Sequence, residues 1–375
     1  MSARDDGSST HVLGLSSALA EIGHEVHLVA TESASHNLSS IPNLNLHLDP
    51  AGKRMTVIVA KRARSVVEQV KPDIVYLRTF IVDYPLFSRH LRRVGVPYVA
   101  ELNTVTDAER AALGATLEGK LFRFLEGRTL AHAAAWLPVT NEIYQYAKRA
   151  SRVTKPFLIA KNGFDVGRVV PKFSRAAVRE KLGVADSTPV MVMHGFRYPW
   201  HGVDRAISML ASLKRPVELW LIGSTSDEDR RLVEQIAKRE GVESLVRVFP
   251  WMAQEESVNL VSAADVGLGS LALDRNEMTE AQPLKVASYL ALGVPVLINY
   301  KDLRLNMGLP FVEFVPSKDP RVLARHVTLL LAQPQSTREM ARMFAYERLS
   351  WKAVAGEVTE FLHSLVAEQD DGDFL

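Results

Sequence analysis

Short apolar, β-branched segments alternate with helical patterns along almost the whole chain, and this alternation most constrains the fold. Several of the apolar segments are hydrophobic on both faces, as expected for strands that helices cover on two sides. Such alternation predicts parallel sheets with right-handed crossovers. The predicted strands are residues 25–30, 43–48, 73–77, 97–102, 135–140, 157–161, 190–195, 218–223, 246–249, 266–270, 295–299 and 312–315. The predicted helices are residues 10–22, 53–70, 107–133, 204–213, 227–240, 254–263, 283–292 and 336–367.

The composition is that of a soluble globular protein large enough for two domains. Of the 375 residues, 47% are hydrophobic, and the formal net charge is +2. This charge is too small to indicate a nucleic-acid partner. The absence of cysteine excludes disulfides, thiolate metal sites and cysteine nucleophiles. Because no apolar run has the length of a membrane span, we expect a cytoplasmic protein, at most peripheral on the inner face of a membrane.

A domain boundary is predicted where a turn meets a polar, basic segment. The turn is Asn162-Gly163-Phe164-Asp165, and the boundary is expected within residues 165–179. The sequence therefore predicts one Rossmann-like domain over residues 1–165 and a second over residues 166–340, with residues 341–375 as a final helical segment.

The first domain lacks the strand that usually opens such a fold. A glycine turn, Asp6-Gly7-Ser8-Ser9, comes almost at once, and no apolar segment precedes it. Either the chain is truncated or Met1 is a late start. A missing central strand would leave a slot in the first sheet, which we expect to destabilise that sheet.

The segment that begins at Glu280 has the pattern of a phosphate-binding helix start. Pro283 suits the first turn of a helix, and Gly293 suits its end. Free N–H groups and the helix dipole at such a start favour a pyrophosphate. Lys285 adds a positive charge in the first turn, and Ser288 lies one turn deeper. The alternative is a surface strand–helix–strand unit with a capping glutamate.

A second candidate loop follows the predicted strand at residues 190–193. Its sequence is His194-Gly195-Phe196-Arg197-Tyr198-Pro199-Trp200-His201-Gly202-Val203-Asp204. A strand-to-helix loop with two glycines can hold phosphate oxygens, and Arg197 is the natural bidentate partner for them. The alternative makes Arg197 a solvated loop residue and Trp200 a packing residue.

A third candidate, Gly7-Ser8-Ser9-Thr10-His11, opens the first predicted helix. It offers backbone donors, although an ordinary Ser/Thr cap explains it equally well. The chain lacks the G-x-G-x-x-G fingerprint, the G-x-x-x-x-G-K-[ST] loop and the G-x-S-x-G elbow. No metal site is expected, since a predicted strand begins between His24 and His27, and side chains three apart on a strand point to opposite faces.

Taken in order, these motifs resemble glycosyltransferase family 4, the retaining GT-B enzymes, over nearly the whole chain. Residues 7–27 resemble its glycine loop, first helix and G-H-x-V strand entry, and Asn162-Gly163-Phe164-Asp165 its N-G-V-D turn. Residues 194–204 resemble its G-R-x…K-G-V-D loop, and residues 280–288 its E-x7-E signature, followed by A-x-G-x-P-V at 291–296. The last helix, around Trp351, resembles the segment that crosses back onto the N-terminal domain.

The resemblance implies two Rossmann-like domains with parallel sheets facing a central cleft. The first would bind the acceptor and the second the nucleotide sugar. Glu280 would contact the donor sugar hydroxyls, Arg197 and His201 would neutralise the donor diphosphate with help from Lys285, and the nucleobase would lie near Gly223 and the turn at 247–252. The implied catalytic residues are Glu280, Arg197 and Lys285; the donor-binding residues are His201, Gly202, Gly195, Gly223, Pro283, Leu284, Ser288 and Met252; the N-domain cleft residues are Gly7, Ser8, His11, Arg78 and Asn103.

Several positions depart from the family pattern. Ser288 stands where the second signature glutamate would bond the ribose hydroxyls. His201 replaces the usual lysine, and we expect its contribution to depend on pH. Arg78 and Asn103 occupy places where many members carry histidine.

The implied activity is retaining glycosyl transfer, of the hexosyltransferase type, from a nucleotide-diphosphate sugar to a glycan, lipid or small-molecule acceptor. Protein cations would screen the diphosphate, so no metal or other cofactor is expected. The alternative is a catalytically weak or inactive relative that acts as a binding or scaffold protein; a GT-B epimerase shares the fold but not these loops. We expect a monomer or weak dimer. The side chains of Lys120, Phe122, Arg123 and Phe124 form either a basic, aromatic membrane contact or an ordinary solvated helix face.

Overall fold

The computed structural model describes residues 7–31, 41–49, 55–78, 84–112, 114–196, 198–305 and 308–372. The chain forms two compact units. Unit 1 comprises Met1–Gly163 and Trp351–Leu375, and unit 2 comprises Phe164–Ser350.

Unit 1 is built from parallel strands and helices. Its elements are α1 (Gly7–Glu21), β1 (Val26–Thr31), β2 (Leu44–Asp49), α2 (Met55–Val70), β3 (Val75–Arg78), α3 (Tyr84–Val94), β4 (Tyr98–Leu102), α4 (Thr106–Ala112), α5 (Thr116–His132), β5 (Ala135–Pro138) and α6 (Asn141–Ser151).

The described strands of unit 1 form two separate parallel sheets. One pairs β1 with β2, and the other has the order β3-β4-β5. Every residue of β4 and β5 is buried, as expected for strands covered on both faces. Within the described part of the unit, no strand joins the two sheets.

Unit 2 begins after Gly163 and has more strands. Its elements are α7 (Arg175–Leu182), β6 (Val190–His194), α8 (Val203–Ala211), β7 (Glu218–Ser224), α9 (Asp227–Glu240), β8 (Val246–Pro250), α10 (Gln254–Ser262), β9 (Val266–Leu268), α11 (Leu284–Ala291), β10 (Val296–Ile298), β11 (Val312–Phe314), α12 (Pro320–Leu331) and α13 (Gln335–Arg348).

The six strands of unit 2 form one parallel sheet in the order β11-β10-β9-β6-β7-β8. If β6 is counted as strand 1 and β11 as strand 6, the order read from the β8 edge is 3-2-1-4-5-6, which is that of a doubly wound fold. The direction of winding reverses between β6 and β9. In open parallel sheets, ligands bind outside the carboxyl ends of the strands at this switch point. The topology therefore places the candidate site of unit 2 beyond β6 and β9.

The last helix, α14 (Trp351–Gly372), belongs to unit 1 and packs against α1. The approach is close, because a Cβ at Gly14 would lie 2.0 Å from the indole Nε1 of Trp351. The prediction that the returning segment begins at residue 341 is wrong: α13 packs against α11 inside unit 2, and the return begins at Trp351.

Several predicted elements differ from the structure. The helix expected over residues 107–133 is two helices, α4 and α5, because Gly114 adopts a left-handed φ of 80° between them. The helix expected over residues 336–367 is likewise α13 and α14. The strand expected over residues 157–161 is a single bridge between Phe157 and Trp136. Four helices were not predicted, namely α3, α6, α7 and α12.

Candidate functional site

The loop that follows β6 lies at the switch point of unit 2. Gly195, immediately after β6, has a φ of 69°, which favours glycine, and its N–H donates to the Ile222 carbonyl at 2.8 Å. Gly223, after the neighbouring strand β7, has a φ of 107°, and a Cβ there would lie 3.6 Å from the Gly195 nitrogen. Two glycine backbones therefore line the carboxyl edge of the sheet side by side.

The far end of this loop is held against the segment after β9. The His201 carbonyl accepts from Leu271 N at 2.9 Å, and the Trp200 carbonyl accepts from Ala272 N at 3.1 Å. Gly202 has a φ of 73°, and a Cβ there would lie 3.0 Å from Ala272 atoms. Gly202 is thus required by both its backbone conformation and its close neighbours.

Helix α11 meets the loop at the same edge. The Lys285 ammonium, in the first turn, donates to the Gly195 carbonyl at 3.1 Å. One turn later, the Tyr289 hydroxyl accepts from His194 N at 2.7 Å. These contacts confine the start of α11 and the end of β6 to one rim, which we call the β6–α11 rim (residues 194–195, 201–202 and 284–289).

Pro283 and Leu284 form the entry to α11. Pro283 is its N-cap, with φ −64° and ψ 138°, and the helix begins at Leu284, one residue later than predicted. Leu284 is half-buried, and its carbonyl lies 3.4 Å from the Ser288 hydroxyl. Ser288 therefore points its hydroxyl back along its own helix.

Glu280 lies at the same edge of the sheet, beside the segment that follows β10. It forms a parallel bridge with Lys301, and its carboxylate lies 3.6 Å from the Lys301 ammonium. Glu280 is buried, with 8% of its surface exposed, whereas the Lys301 side chain is mostly exposed. An acidic side chain is thus fixed in position close to solvent.

Desolvation dominates the electrostatics of the β6–α11 rim. It lowers the pKa of Lys285 to about 7. Desolvation, with a smaller contribution from the Lys285 charge, lowers the pKa of His194 to about 4 and that of His201 to about 2. Lys285 is therefore the group of this cluster that changes charge near neutral pH.

The low pKa of His201 corrects one prediction. His201 was expected to contribute in a pH-dependent way, but burial keeps its imidazole neutral over the physiological range. Its ring nitrogen Nδ1 lies 3.4 Å from the Tyr198 backbone nitrogen, at the end of the hydrogen-bonding range. In the free protein, His201 therefore adds no positive charge to the β6–α11 rim.

The turn predicted near the nucleobase is divided between two edges of the sheet. Met252 follows the carboxyl end of β8 and is half-buried, and Trp251 N donates to the Ser224 carbonyl at 2.8 Å. Arg247 instead lies near the amino end of β8, where it bonds Leu182 and Glu218. Arg247 is therefore remote from the candidate site. Arg197 lies outside the described residues, so its role stays a prediction.

In unit 1, three predicted residues gather around a carboxylate that was not predicted. Glu101, at the end of β4, is fully buried. Its Oε2 lies 3.0 Å from His11 Nε2, and its Oε1 accepts from Asn103 Nδ2 at 2.8 Å. Arg78 Nη1 lies 3.5 Å from Oε1, and the Tyr76 hydroxyl donates to Oε2 at 2.7 Å. We call these side chains the Glu101 cluster.

Charge compensation keeps Glu101 ionised. Burial alone would raise its pKa, but His11, Arg78 and the Tyr76 hydroxyl together lower it to about 2. His11 also contacts Asn162 Oδ1 at 2.7 Å and packs edge-on against Trp351, with ring centroids 4.9 Å apart. Gly7 and Ser8 lie in the first turn of α1, so the predicted glycine loop is the start of that helix.

The described residues contain no group of three or more histidine, cysteine, aspartate or glutamate side chains placed to hold a metal ion. Over the same part of the chain, no helix combines the length and apolar character needed to cross a bilayer.

Both halves of the chain match known family models. Residues 6–168 match Glycosyltransferase Family 4, and residues 174–348 match Glycosyl transferases group 1. No curated protein sequence matches the chain.

Solved structures of similar fold span both units. Sucrose-phosphate synthase from Thermosynechococcus elongatus has a TM-score of 0.74 at 15% identity, covering 97% of this chain and 94% of that one. Anabaena HepE in complex with UDP and glucose has a TM-score of 0.71 at 17% identity, covering 97% and 98%. A putative UDP-N-acetylglucosamine 2-epimerase from Listeria monocytogenes has a TM-score of 0.58 at 14% identity, covering 96% and 94%. With family matches across both halves and this fold, the chain belongs to glycosyltransferase family 4 and is a glycosyltransferase of the GT-B type.

Proposed function

We propose that the protein is a retaining glycosyltransferase that moves a hexose from a nucleotide-diphosphate sugar to a glycan, lipid or small-molecule acceptor. The observation that carries this proposal is the β6–α11 rim. There the Lys285 ammonium contacts the Gly195 carbonyl at the switch point of the sheet. A lysine, a helix start and two glycine backbones at one place are what a diphosphate requires.

In the proposed complex, the donor diphosphate lies against the start of α11 and the backbone of Gly195 and Gly202. The Lys285 ammonium, together with the N–H groups of the first helical turn, compensates its negative charge. Because this charge comes from the protein, we propose that the reaction needs no metal. Arg197 is proposed as a further cation on the same loop.

Glu280 is proposed to hold the sugar. Its carboxylate is fixed beside Lys301, and a fixed carboxylate accepts hydrogen bonds from vicinal hydroxyls. Ser288 is proposed to face the ribose. Its shorter, uncharged side chain would make a weaker contact there than a glutamate.

Retention follows in this proposal from a same-face reaction. The leaving diphosphate takes the proton of the acceptor hydroxyl while that oxygen bonds the anomeric carbon and the bond from this carbon to the diphosphate oxygen breaks. The protein then contributes position and charge stabilisation rather than a covalent intermediate. Lys285 supports this scheme, because its positive charge stabilises the diphosphate as negative charge develops on it.

A catalytically weak or inactive relative is the second candidate. Ser288 favours it, since its hydroxyl lies 3.4 Å from the Leu284 carbonyl of its own helix. Such a protein would still bind a nucleotide but would turn over slowly.

Hydrolysis and transfer with a panel of nucleotide sugars would test the proposal. Uridine donors come first in the panel, since HepE was crystallised with UDP. In Lys285→Met, we expect turnover to fall by about 100-fold, in the range measured for removal of one transition-state hydrogen-bond donor. In Glu280→Gln, turnover should also fall, because a neutral amide is a weaker acceptor for the sugar hydroxyls than a carboxylate. Lys214→Met, an exposed lysine of unit 2, is the matched control and should keep full activity.

Normal turnover in both site variants would show that the site is wrongly assigned. Donor binding without turnover in the unmodified protein would instead favour the inactive relative.

A further inference from the structure

Helix α5 exposes large apolar side chains, unlike an ordinary surface helix. Its buried face carries Gly119, Gly127, Thr129 and Leu130. The residues Leu117, Leu121 and Phe124 are 82%, 56% and 60% exposed. A surface helix normally turns its large apolar residues to the core and polar residues to water. Here two glycines and a threonine lie on the inward face beside Leu130, and three large apolar residues are exposed.

Close packing explains why the inner face must be small. A Cβ at Gly127 would lie 2.2 Å from the Ala150 carbonyl oxygen, so α5 and α6 touch backbone to backbone. It does not explain the outer face. Leu117, Leu121 and Phe124 lie at spacings of four and three residues, so they form one stripe along the helix.

Cations accompany the apolar stripe. Lys120 and Arg128 are exposed at positions i+3 and i+11 from Leu117, and the Arg128 guanidinium lies 5.8 Å from the centroid of the Phe124 ring. Within the described part of the chain, neither cation has an acidic partner in a salt bridge. Asp107 and Glu118 are paired, with Arg123 at 2.8 Å and Arg110 at 3.4 Å.

Positive charge continues at the end of α5. The pKa of His132 is lowered by burial and then by the charges of Arg92, Lys155 and Arg128, which places these cations around the last turn. Helix α3 packs beside α5. We call Leu117, Lys120, Leu121, Phe124 and Arg128 the α5 stripe.

We propose that the α5 stripe lies in the interface of a membrane that contains anionic phospholipids. Apolar side chains flanked by lysine and arginine on one helix face are the pattern of interfacial binding, and unpaired cations are attracted by the negative surface potential of such lipids. A protein partner would need acidic complements to these cations. This proposal is independent of the sugar-transfer proposal.

The proposal changes the set of contact residues expected from the sequence. Phe122 is half-buried beneath Arg110, whose guanidinium lies 5.0 Å from the centroid of its ring. Arg123 is paired with Asp107. The contact therefore consists of the α5 stripe, which keeps Phe124 and Lys120 from the expected set but not Phe122 and Arg123.

Co-sedimentation of the full chain with vesicles would test this. We expect binding to vesicles that contain phosphatidylglycerol, and at least about tenfold weaker binding to pure phosphatidylcholine. Leu117→Ser/Leu121→Ser/Phe124→Ser should reduce binding at least about tenfold. Lys120→Gln/Arg128→Gln should reduce it about tenfold or more at low salt and have little effect at 1 M salt.

The matched control replaces three exposed apolar residues of unit 2 helices, as Leu232→Ser/Leu329→Ser/Met343→Ser, and should bind as the unmodified protein does. Calorimetry with UDP separates this test from the sugar-transfer proposal, since the α5 variants should keep nucleotide affinity. Equal binding by the α5 and control variants, or no binding to anionic vesicles, would overturn the proposal. So would a dimer, seen by light scattering, that only the α5 serine variant loses.

Discussion

Folding and the binding of a diphosphate should have opposite effects on the pKa of Lys285. Its half-buried ammonium loses hydration, and this lowers its pKa to about 7. The Gly195 carbonyl offsets part of that loss. A diphosphate would supply a full negative charge at the same place and raise the pKa again.

Donor affinity should therefore depend on pH. Since the pKa of Lys285 is about 7 in the free protein and higher in the complex, binding takes up a proton above pH 7. We expect the affinity for UDP to fall by up to about tenfold per pH unit above pH 7. Titration calorimetry from pH 6 to pH 9 would measure this.

Lys285→Arg is the control for the pH profile, because a guanidinium stays charged throughout this range. Its profile should be flatter above pH 7 than that of the unmodified protein. The same slope in both proteins would show that another group is responsible.

Glu101 is the centre of a buried polar cluster in unit 1. Its carboxylate is bonded to His11, Tyr76 and Asn103 and lies 3.5 Å from Arg78. Removing one partner of a buried charge cluster leaves the other charges uncompensated.

Glu101→Gln should destabilise the protein by about 3–5 kcal/mol, as breaking a buried ion pair does. Urea unfolding at pH 7 would measure the loss. Glu118→Gln breaks an exposed pair with Arg110 and should cost less than about 1 kcal/mol. Equal costs for the two variants would contradict the role of the Glu101 cluster.

The contribution of Glu101 to the free energy of unfolding should depend on pH. The folded-state pKa of Glu101, about 2, is below its ordinary value of 4.5, so its contribution is present above pH 4.5 and is lost as the pH falls towards 2. The Glu101→Gln variant should lack this part of the acid destabilisation.

The sequence identified part of each cluster. The glycines, Lys285 and Glu280 followed from motif spacing, whereas Glu101 was missed. Its signal was present, since Glu101 is the one charged residue in the otherwise apolar strand segment at 97–102. A charge inside a strand buried on both faces needs partners. The partners His11 and Tyr76 are distant in sequence, so only the tertiary structure shows them.

Helix α5 shows how packing can override helical amphipathicity. Its contact with α6 depends on Gly127, at which no Cβ fits. Helix α14 offers a contrast: a Cβ at its Gly356 would have no atom within 4 Å.

Gly127→Ala should destabilise unit 1 by about 1–3 kcal/mol or more, because the added methyl group overlaps backbone that cannot move freely. Gly356→Ala should instead stabilise by about 0.5–1 kcal/mol, since alanine lowers the entropy of the unfolded chain. Thermal and urea unfolding would compare the two. A neutral Gly127→Ala would show that α5 and α6 are less tightly packed.

At the scale of elements, sequence periodicity located the strands better than the helices. Short apolar runs are distinctive because both faces of β4 and β5 are buried. Helix α7 has eight residues and no acidic residue in its first turn, and the break between α4 and α5 depends on one left-handed glycine. Short helices and single-residue breaks give weak sequence signals. The 27-residue helical pattern at 107–133 is a much stronger signal, so the break within it was not predicted.

The whole molecule combines two units with different sheets. Unit 2 has a continuous six-stranded sheet, whereas the described strands of unit 1 form sheets of two and three strands. The fold alone does not select a reaction, because a putative 2-epimerase shares it. The family matches show a glycosyltransferase, and the β6–α11 rim is where we propose that its donor binds.

Titration calorimetry of UDP and a panel of nucleotide sugars into the full chain at pH 6.5 tests this donor site most directly. We expect at least one of these nucleotides to bind, with affinity at least about tenfold lower in Lys285→Met, as loss of a charged hydrogen bond predicts. Lys214→Met should bind normally. Failure of every nucleotide to bind, or equal affinity in a folded Lys285→Met variant, would contradict the proposed site.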